Sequence, residues 1–225
     1  MAVIPFYGAD DPEMFEIERR AMDRPGHVIA ALESHLPESG VVADIGAGDG
    51  FTAQRLSTGR RRVIAVEPAA GIIRADRGLE WVRGDAEHLP FEAASIDAAY
   101  STWAYFFTGD GWDPSPGLDE LHRVVKPGGP LLIVDNLGDD EFSALVSQGE
   151  AHRANVSMWE LFGFRCEVVD TVFAFDDLEE ARTLLGFFFG DSGHRIEKLE
   201  VGYRVGIFVG TSNGPSSNLV PKTNS

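Results

Sequence analysis

A short apolar run, Val41-Val42-Ala43-Asp44-Ile45, gives way at once to glycines at positions 46, 48 and 50. Few folds accommodate a strand that ends this way. Glycine reaches positive φ without a steric penalty and lets the backbone approach a ligand with no side chain between them. A helical stretch from Asp49 to Ser57 follows, so the unit reads strand, tight turn, helix. Such a turn is expected to offer its N–H groups and a positive helix end to an anionic group such as a carboxylate. Asp44 stands at the carboxyl edge of the strand. The dinucleotide fingerprint Gly-x-Gly-x-x-Gly fits poorly, because Phe51 takes the place of its last glycine.

The same rhythm continues along the chain. Further β-branched or apolar runs are Arg62 to Val66, Leu79 to Val82, Ile96 to Ser101 and Leu131 to Val134, and helical patterns are expected between them, giving a βαβαβαβαβ order. Strands apolar on both faces and separated by helices imply a parallel, doubly wound α/β sheet with its ligands at the carboxyl ends. Two helices, Pro12 to Met22 and His27 to Leu36, precede the sheet; Asp11 suits a cap and Pro12 a first turn. Helices are expected from Asp139 onward, then a strand near Arg165 to Phe175, a helix from Asp177 to Phe189 and a strand near Leu199 to Val209. Residues 1–36 are thus read as an amino-terminal helical lid and residues 37–210 as one domain. Thr211 to Ser225, rich in Ser, Asn, Pro and Gly, reads as a disordered tail.

Composition narrows the partners. With 19 basic and 36 acidic residues among 225, the net charge of −17 repels phosphate backbones, so DNA and RNA are not expected partners. The one dense basic cluster, Arg60-Arg61-Arg62, reads as a solvated turn. The longest uncharged stretch before the tail, Ala98 to Gly109, is half a membrane span. Without a basic, apolar leader the chain reads as cytoplasmic. Cys166 stands alone in an apolar-leaning run and reads as a buried thiol. The histidines show no metal-ligand spacing. Phe187-Phe188-Phe189, beside Leu184 and Leu185, reads as a core-facing helix surface.

Asp44-Ile45-Gly46-Ala47-Gly48-Asp49-Gly50 resembles the acidic-Gly-x-Gly-x-Gly signature of the class I S-adenosylmethionine-dependent methyltransferases. The resemblance extends through Val66-Glu67-Pro68, the segment Gly84-Asp85-Ala86-Glu87-His88-Leu89-Pro90-Phe91, Ser95 to Ser101, and the turn Lys126-Pro127-Gly128-Gly129. It implies a Rossmann-like sheet of seven strands, the last antiparallel, and a site for S-adenosylmethionine and its product S-adenosylhomocysteine. In that family an acidic residue after the second strand holds the ribose hydroxyls, which points to Glu67. One after the third strand meets the adenine amino group, which points to Asp85. Carried over to this chain, the cofactor contacts are Asp44, Gly46, Ala47, Gly48, Gly50, Glu67, Pro68, Asp85, Ala86 and Ser101. The sequence departs from the family at Pro68-Ala69-Ala70-Gly71, which lacks a large apolar residue to pack on adenine.

The acceptor is expected to be a small molecule, met by the aromatic segment Trp103, Tyr105 and Phe106 after the fourth strand and by Tyr7 and His27 from the amino-terminal helices. Methyl transfer from a sulfonium is an in-line displacement that demands orientation and a dry site more than a strong catalytic residue, and none is assigned. A nucleotide-cofactor oxidoreductase and a non-catalytic cofactor-binding protein are the competing readings. The accepting atom and the oligomeric state leave no mark on the sequence.

Overall fold

The apolar runs become strands in the computed structural model, which describes residues 7–104, 113–146, 154 and 156–215. The chain enters through α1 (Tyr7–Asp10), α2 (Pro12–Ala21) and α3 (His27–His35). It continues as β1 (Gly40–Ile45), α4 (Phe51–Leu56), β2 (Arg61–Val66), β3 (Glu80–Val82), β4 (Ala98–Thr102), α5 (Ser115–Val124) and β5 (Pro130–Asn136), then α6 (Val156–Leu161), β6 (Arg165–Ala174), α7 (Leu178–Phe189), α8 (Asp191–His194) and β7 (Glu200–Thr211). All these strands join one seven-stranded sheet in the order β3-β2-β1-β4-β5-β7-β6. Pairings from β3 through β5 are parallel, and β7 runs antiparallel between β5 and β6. The strand order reverses between β1 and β4, which opens a crevice at their carboxyl ends.

The expected unbroken alternation of strand and helix fails on two crossovers. Between β2 and β3 the chain makes only the short 3₁₀ turns Ala70–Ile72 and Ala75–Arg77, and residues 83–97 before β4 contain no helix. Pro68, Gly71 and Gly78 crowd the first segment and Gly84 and Pro90 the second, leaving runs too short to repay the cost of nucleating a helix. β4 starts at Ala98, since Ile96 makes only a single bridge to Val125.

Period-two alternation sends the strands' side chains to two cores. Val42, Val63, Ala98, Leu132 and Val134 pack under Leu32 of α3, Leu56 of α4 and Leu184 and Leu185 of α7. Ala43, Ile45, Ala99, Leu131 and Ile133 pack against Leu118 and Leu121 of α5 and Trp159 of α6. Helices α2 and α3, expected as a lid, also belong to the first core through Ala21, Val28 and Leu32. The segment joining them lines the outer edge of the sheet. Asp23 N donates to the Val172 carbonyl, Arg24 to Ala174 and His27 Nδ1 to Asp170. The buried Asp23 carboxylate in turn accepts from the Val28 and Ile29 N–H groups and from Thr171 Oγ1. The edge carbonyls of Asp170, Val172 and Ala174, which could recruit another strand, are thus satisfied within the chain.

Four local readings are corrected. Arg61 does not sit in a solvated turn: only 1 % of its side chain is exposed, and it donates to the carbonyls of Leu56 and Pro37 and pairs with Glu33. Arg60 and Arg62 do face solvent, beside Glu38 and Glu80. Cys166 is half-buried, because the outward face of edge strand β6 is only partly covered. Phe187 turns out to solvent on α7, while Phe188 and Phe189 pack on the core. Thr211 ends β7 and Ser212 is buried, its hydroxyl donating to the carbonyls of His122 and Val125, so the tail is anchored before residue 216, where the described residues end.

Arg61 ties α3, α4 and β2 together from inside, so removing it strands buried acceptors as well as a partly exposed carboxylate. Arg61→Ala is expected to lower unfolding free energy by about 3 kcal/mol. Arg60→Ala and Arg62→Ala should each cost under about 1 kcal/mol. Urea midpoints of the three variants measure this, and equal shifts would contradict the distinction.

Candidate functional site

Gly46, Gly48 and Gly50 all adopt positive φ, at 73°, 57° and 81°. A Cβ at position 46 would lie 2.4 Å from Ala104 Cβ, and one at position 50 would lie 2.7 Å from Leu79 Cδ1 and 2.8 Å from the Trp81 ring. At Gly48 the nearest atom would be Phe15 Cζ, 3.8 Å away, so this is the open point of the turn and α2 overlooks it. Five of the N–H groups that the sequence offers to an anion are taken within the chain. Gly46 and Ala47 donate to the Val66 carbonyl, Gly48 to Glu67 Oε2, Gly50 to the Ala47 carbonyl and Phe51 to Asp49 Oδ1. Asp49 is itself buried and paired with Arg77, whose Nε also donates to the Asp49 carbonyl. Five N–H groups of the turn are thus bonded within the chain, which holds its shape, and the side chains around it supply further polar groups.

Chief among these is Asp44, the only strand residue of β1 with a charged side chain. It is fully buried, and neither carboxylate oxygen has a hydrogen-bond partner. Tyr100, opposite it in the β1–β4 register, has a buried hydroxyl that likewise lacks a partner of ordinary geometry. Desolvation raises the Asp44 pKa to about 7; the nearby Tyr100 hydroxyl opposes this, the Glu67 charge adds to it and Arg19 of α2 opposes it. Glu67, at the end of β2, is also raised by burial, against the hydrogen bonds it accepts from Ala69 and Gly48 N–H. Each of its oxygens takes one of these bonds and retains a further lone pair.

Asp85 lies beyond β3, about half exposed, with Oδ1 accepting from Glu87 N and facing His88 Nδ1 at 3.1 Å. The Pro68 carbonyl accepts from Arg83, and Ala86 packs partly on the second core. Ser101 points its hydroxyl at the Ile45 carbonyl and is fully buried, so its side chain ties β4 to β1.

Trp103 follows β4 in a left-handed conformation, φ 50°, that a bulky residue rarely holds. Its N–H donates to the Val134 carbonyl, and its indole Nε1 donates to Asn136 Oδ1 and the Tyr203 hydroxyl, which itself bonds Asn136. Trp103 also lines a small cavity with α2, α3 and α4. His27 is not brought to this region's polar groups, since its ring is committed to the edge carbonyl of Asp170. Tyr105 and Phe106 lie outside the described residues, as does the side chain of Tyr7, which opens α1. Sequence reasoning missed Arg19, Tyr100, Asn136 and Tyr203. Only Tyr100 left a signal there, as the one aromatic residue of its strand. Among the described residues no group of His, Cys, Asp and Glu could hold a metal ion, and no helix is long and apolar enough to cross a membrane.

Part of this chain resembles known methyltransferases. Residues 43–133 match the methyltransferase domain family. A biotin biosynthesis bifunctional protein of Cellvibrio japonicus is 39% identical over 96 residues, covering 40% of this chain and 18% of that protein. A demethylmenaquinone methyltransferase of Clavibacter sepedonicus is 31% identical over 115 residues, covering 48% of this chain and 46% of its own length. The chain thus spans less than half the length of these curated relatives. A solved S-adenosylmethionine-dependent methyltransferase of Thermotoga maritima shares the fold, with TM-score 0.60 and 20% identity over 92% of this chain and 100% of that one. The segment that matches the methyltransferase domain family holds the glycine turn, Asp44, Glu67 and Asp85, and the sheet around it has the fold of solved methyltransferases.

Proposed function

We propose that this protein transfers a methyl group from S-adenosylmethionine to a small-molecule acceptor. One observation carries the reading: a fully buried carboxylate, Asp44, with both oxygens unpartnered, at the sheet's switch point beside Glu67. A native fold tolerates such a group when a ligand completes it. The residues fit the cofactor. Asp44 would receive the ammonium of the methionine tail, the remaining lone pairs of Glu67 the ribose hydroxyls, and Asp85 the adenine amino group. Pro68 and Ala86 would flank the base, and Gly48 leaves room for close approach.

When bound, S-adenosylmethionine supplies a methyl group already activated on a sulfonium. This chain's contribution is to orient and to exclude water. Asp44 and Glu67 place negative charge beside a cationic ligand, and the Trp103 ring, fixed by Asn136 and Tyr203, forms a rigid aromatic wall at the β4 edge. No residue is assigned as a base. The strongly acidic chain favours a metabolite over nucleic acid as acceptor.

Calorimetry with S-adenosylhomocysteine, 5′-methylthioadenosine and NAD tests the site. The first should bind at micromolar levels and NAD should not. Asp44→Asn should weaken S-adenosylhomocysteine by about tenfold or more while changing methylthioadenosine, which lacks the amino-acid tail, less than about threefold. Glu67→Gln should weaken both. An Asp44 variant that leaves S-adenosylhomocysteine untouched sinks the assignment, and labelled cofactor incubated with a metabolite panel separates an enzyme from a silent binder.

A pH dependence follows from Asp44. Its folded pKa, about 7, lies above the ordinary value of 3.8, so the folded state holds a proton that the unfolded state releases between these limits. The ligand-free protein is therefore stabilised by this group at low pH, and that contribution is lost as pH rises toward 7. Ligand binding runs the opposite way, because an ammonium seeks the ionised carboxylate. S-adenosylhomocysteine affinity should rise from pH 6 to 8, and ligand-free Asp44→Asn should melt above wild type at pH 8. A flat affinity profile would show that Asp44 does not face the tail.

A further inference from the structure

Resting on the methyltransferase reading, we propose that Asn136, the last residue of β5, selects the acceptor, its side-chain amide donating hydrogen bonds to a neutral carbonyl oxygen of the molecule to be methylated. Trp103 Nε1 lies 3.0 Å from Asn136 Oδ1 and 2.9 Å from the Tyr203 hydroxyl, and that hydroxyl also bonds Oδ1. An indole N–H can only donate, so the amide atom it meets must be the oxygen. Oδ1 therefore takes two donors, which fills its lone pairs. Nδ2 is left with two N–H groups that meet no acceptor among the described residues.

The surroundings fix that orientation. Asn136 N donates to Asp135 Oδ1 at 2.6 Å, and the Asn136 carbonyl accepts from Ala154 N at 2.7 Å. Burial raises the Tyr203 hydroxyl well above its ordinary pKa; the Trp103 hydrogen bond opposes this, and the charges of Asp135, Glu18 and Asp140 add to it. Tyr203 thus stays protonated and remains a donor to Oδ1. Trp103 is pinned at both ends, its N–H on the Val134 carbonyl and its indole on Asn136, while its backbone is left-handed at φ 50°. Strain of this kind persists where the surroundings over-determine it, and it clusters at ligand sites. Asn136 itself is half-buried, so the amide is not sealed into the core.

Position gives these donors to the acceptor rather than the cofactor. Asp44, Glu67 and Asp85 belong to β1, to the end of β2 and to the segment after β3, one half of the sheet. β4 pairs with β1 and β5 with β4, which sets Asn136 on the other side of the switch point, two strand spacings or roughly 10 Å from β1. Charge then decides the kind of oxygen. The carboxylates that act on the Tyr203 hydroxyl, Asp135, Glu18 and Asp140, surround the group bonded to Asn136 with negative potential. A carboxylate acceptor would be repelled there, whereas a neutral carbonyl takes the N–H bonds without that penalty. The Trp103 ring beside the amide suits a flat, apolar body.

The test uses the full chain saturated with S-adenosylhomocysteine and three probes of one shape: acetophenone, α-methylstyrene, in which a methylene replaces the carbonyl oxygen, and benzoate. Proton–nitrogen correlation NMR follows the assigned Asn136 side-chain amide. Acetophenone should shift that amide and bind at least about fivefold more tightly than either other probe. Asn136→Asp keeps an oxygen for Trp103 and Tyr203 but turns the outward donors into an acceptor, so the preference over α-methylstyrene should fall to within about twofold. Tyr203→Phe, which leaves Oδ1 with one donor, should lower the preference by less. If Asn136→Asp does not fold, the wild-type amide decides: moved by acetophenone and not by α-methylstyrene, it supports the proposal. An amide that no probe moves, equal binding of acetophenone and α-methylstyrene, tighter binding of benzoate, or an unchanged preference in Asn136→Asp overturns it. So does acetophenone binding only without S-adenosylhomocysteine, which would give the amide to the cofactor. Failure of S-adenosylhomocysteine to bind, with the amide shift and the carbonyl preference intact, would leave the carbonyl site standing and remove the methyltransferase reading instead.

Discussion

Everything at the carboxyl end of this sheet is arranged around a carboxylate that the protein itself does not satisfy. Asp44 occupies a β1 position whose alternates, Val42 on its own face and Ala43 and Ile45 on the other, are core. An apolar residue there would pack with less penalty, since burying an unpaired charge is among the most costly choices a fold can make. The cost is visible as a carboxyl that holds its proton to about pH 7. Tyr100 and Arg19 soften it without closing the valence. A group of this kind costs the fold stability, which is why the proposed cofactor reading rests on it.

The frame that carries Asp44 must then be rigid without ligand, and the structure achieves this by internal bonding of the glycine turn. Glu67 reaches from β2 to the Gly48 N–H, Arg77 reaches from the β2–β3 crossover to Asp49, and Ala104 fits against the bare Cα of Gly46. Three separate segments thereby fix one turn. The β4 end is secured independently, by the Trp103, Asn136 and Tyr203 bonds. Such preorganisation limits the entropy that a ligand must remove on binding.

How much of this the sequence disclosed follows from which signals are local. The five central strands and the glycine turn were legible because apolar runs and positive-φ glycines speak through neighbouring residues, and the position of Glu67 just after a strand made it visible as well. The missing helices on two crossovers escaped because periodicity was assumed where Pro and Gly had already broken it. Arg61 was misread because its neighbours Arg60 and Arg62 are solvent-facing, and strand alternation rather than composition decides which of three consecutive side chains turns inward. The Ser212 anchor was hidden for a similar reason: its partners, the carbonyls of His122 and Val125, are about ninety residues away in sequence.

The site residues that sequence reasoning missed share one property, dependence on tertiary register. Tyr100 matters because the β1–β4 pairing sets it opposite Asp44. Asn136 and Tyr203 matter because antiparallel β7 returns beside β5 and brings a hydroxyl to the Trp103 indole. Arg19 matters because α2 is not a detached cover: Ala21 and Phe15 are buried, and that burial holds the guanidinium where Asp44 feels its charge. Building α2 into the core therefore has a chemical consequence. The same apolar contacts that stabilise the amino-terminal helices hold Arg19 near Asp44, so a change in how α2 packs also bears on the ionisation of that carboxyl.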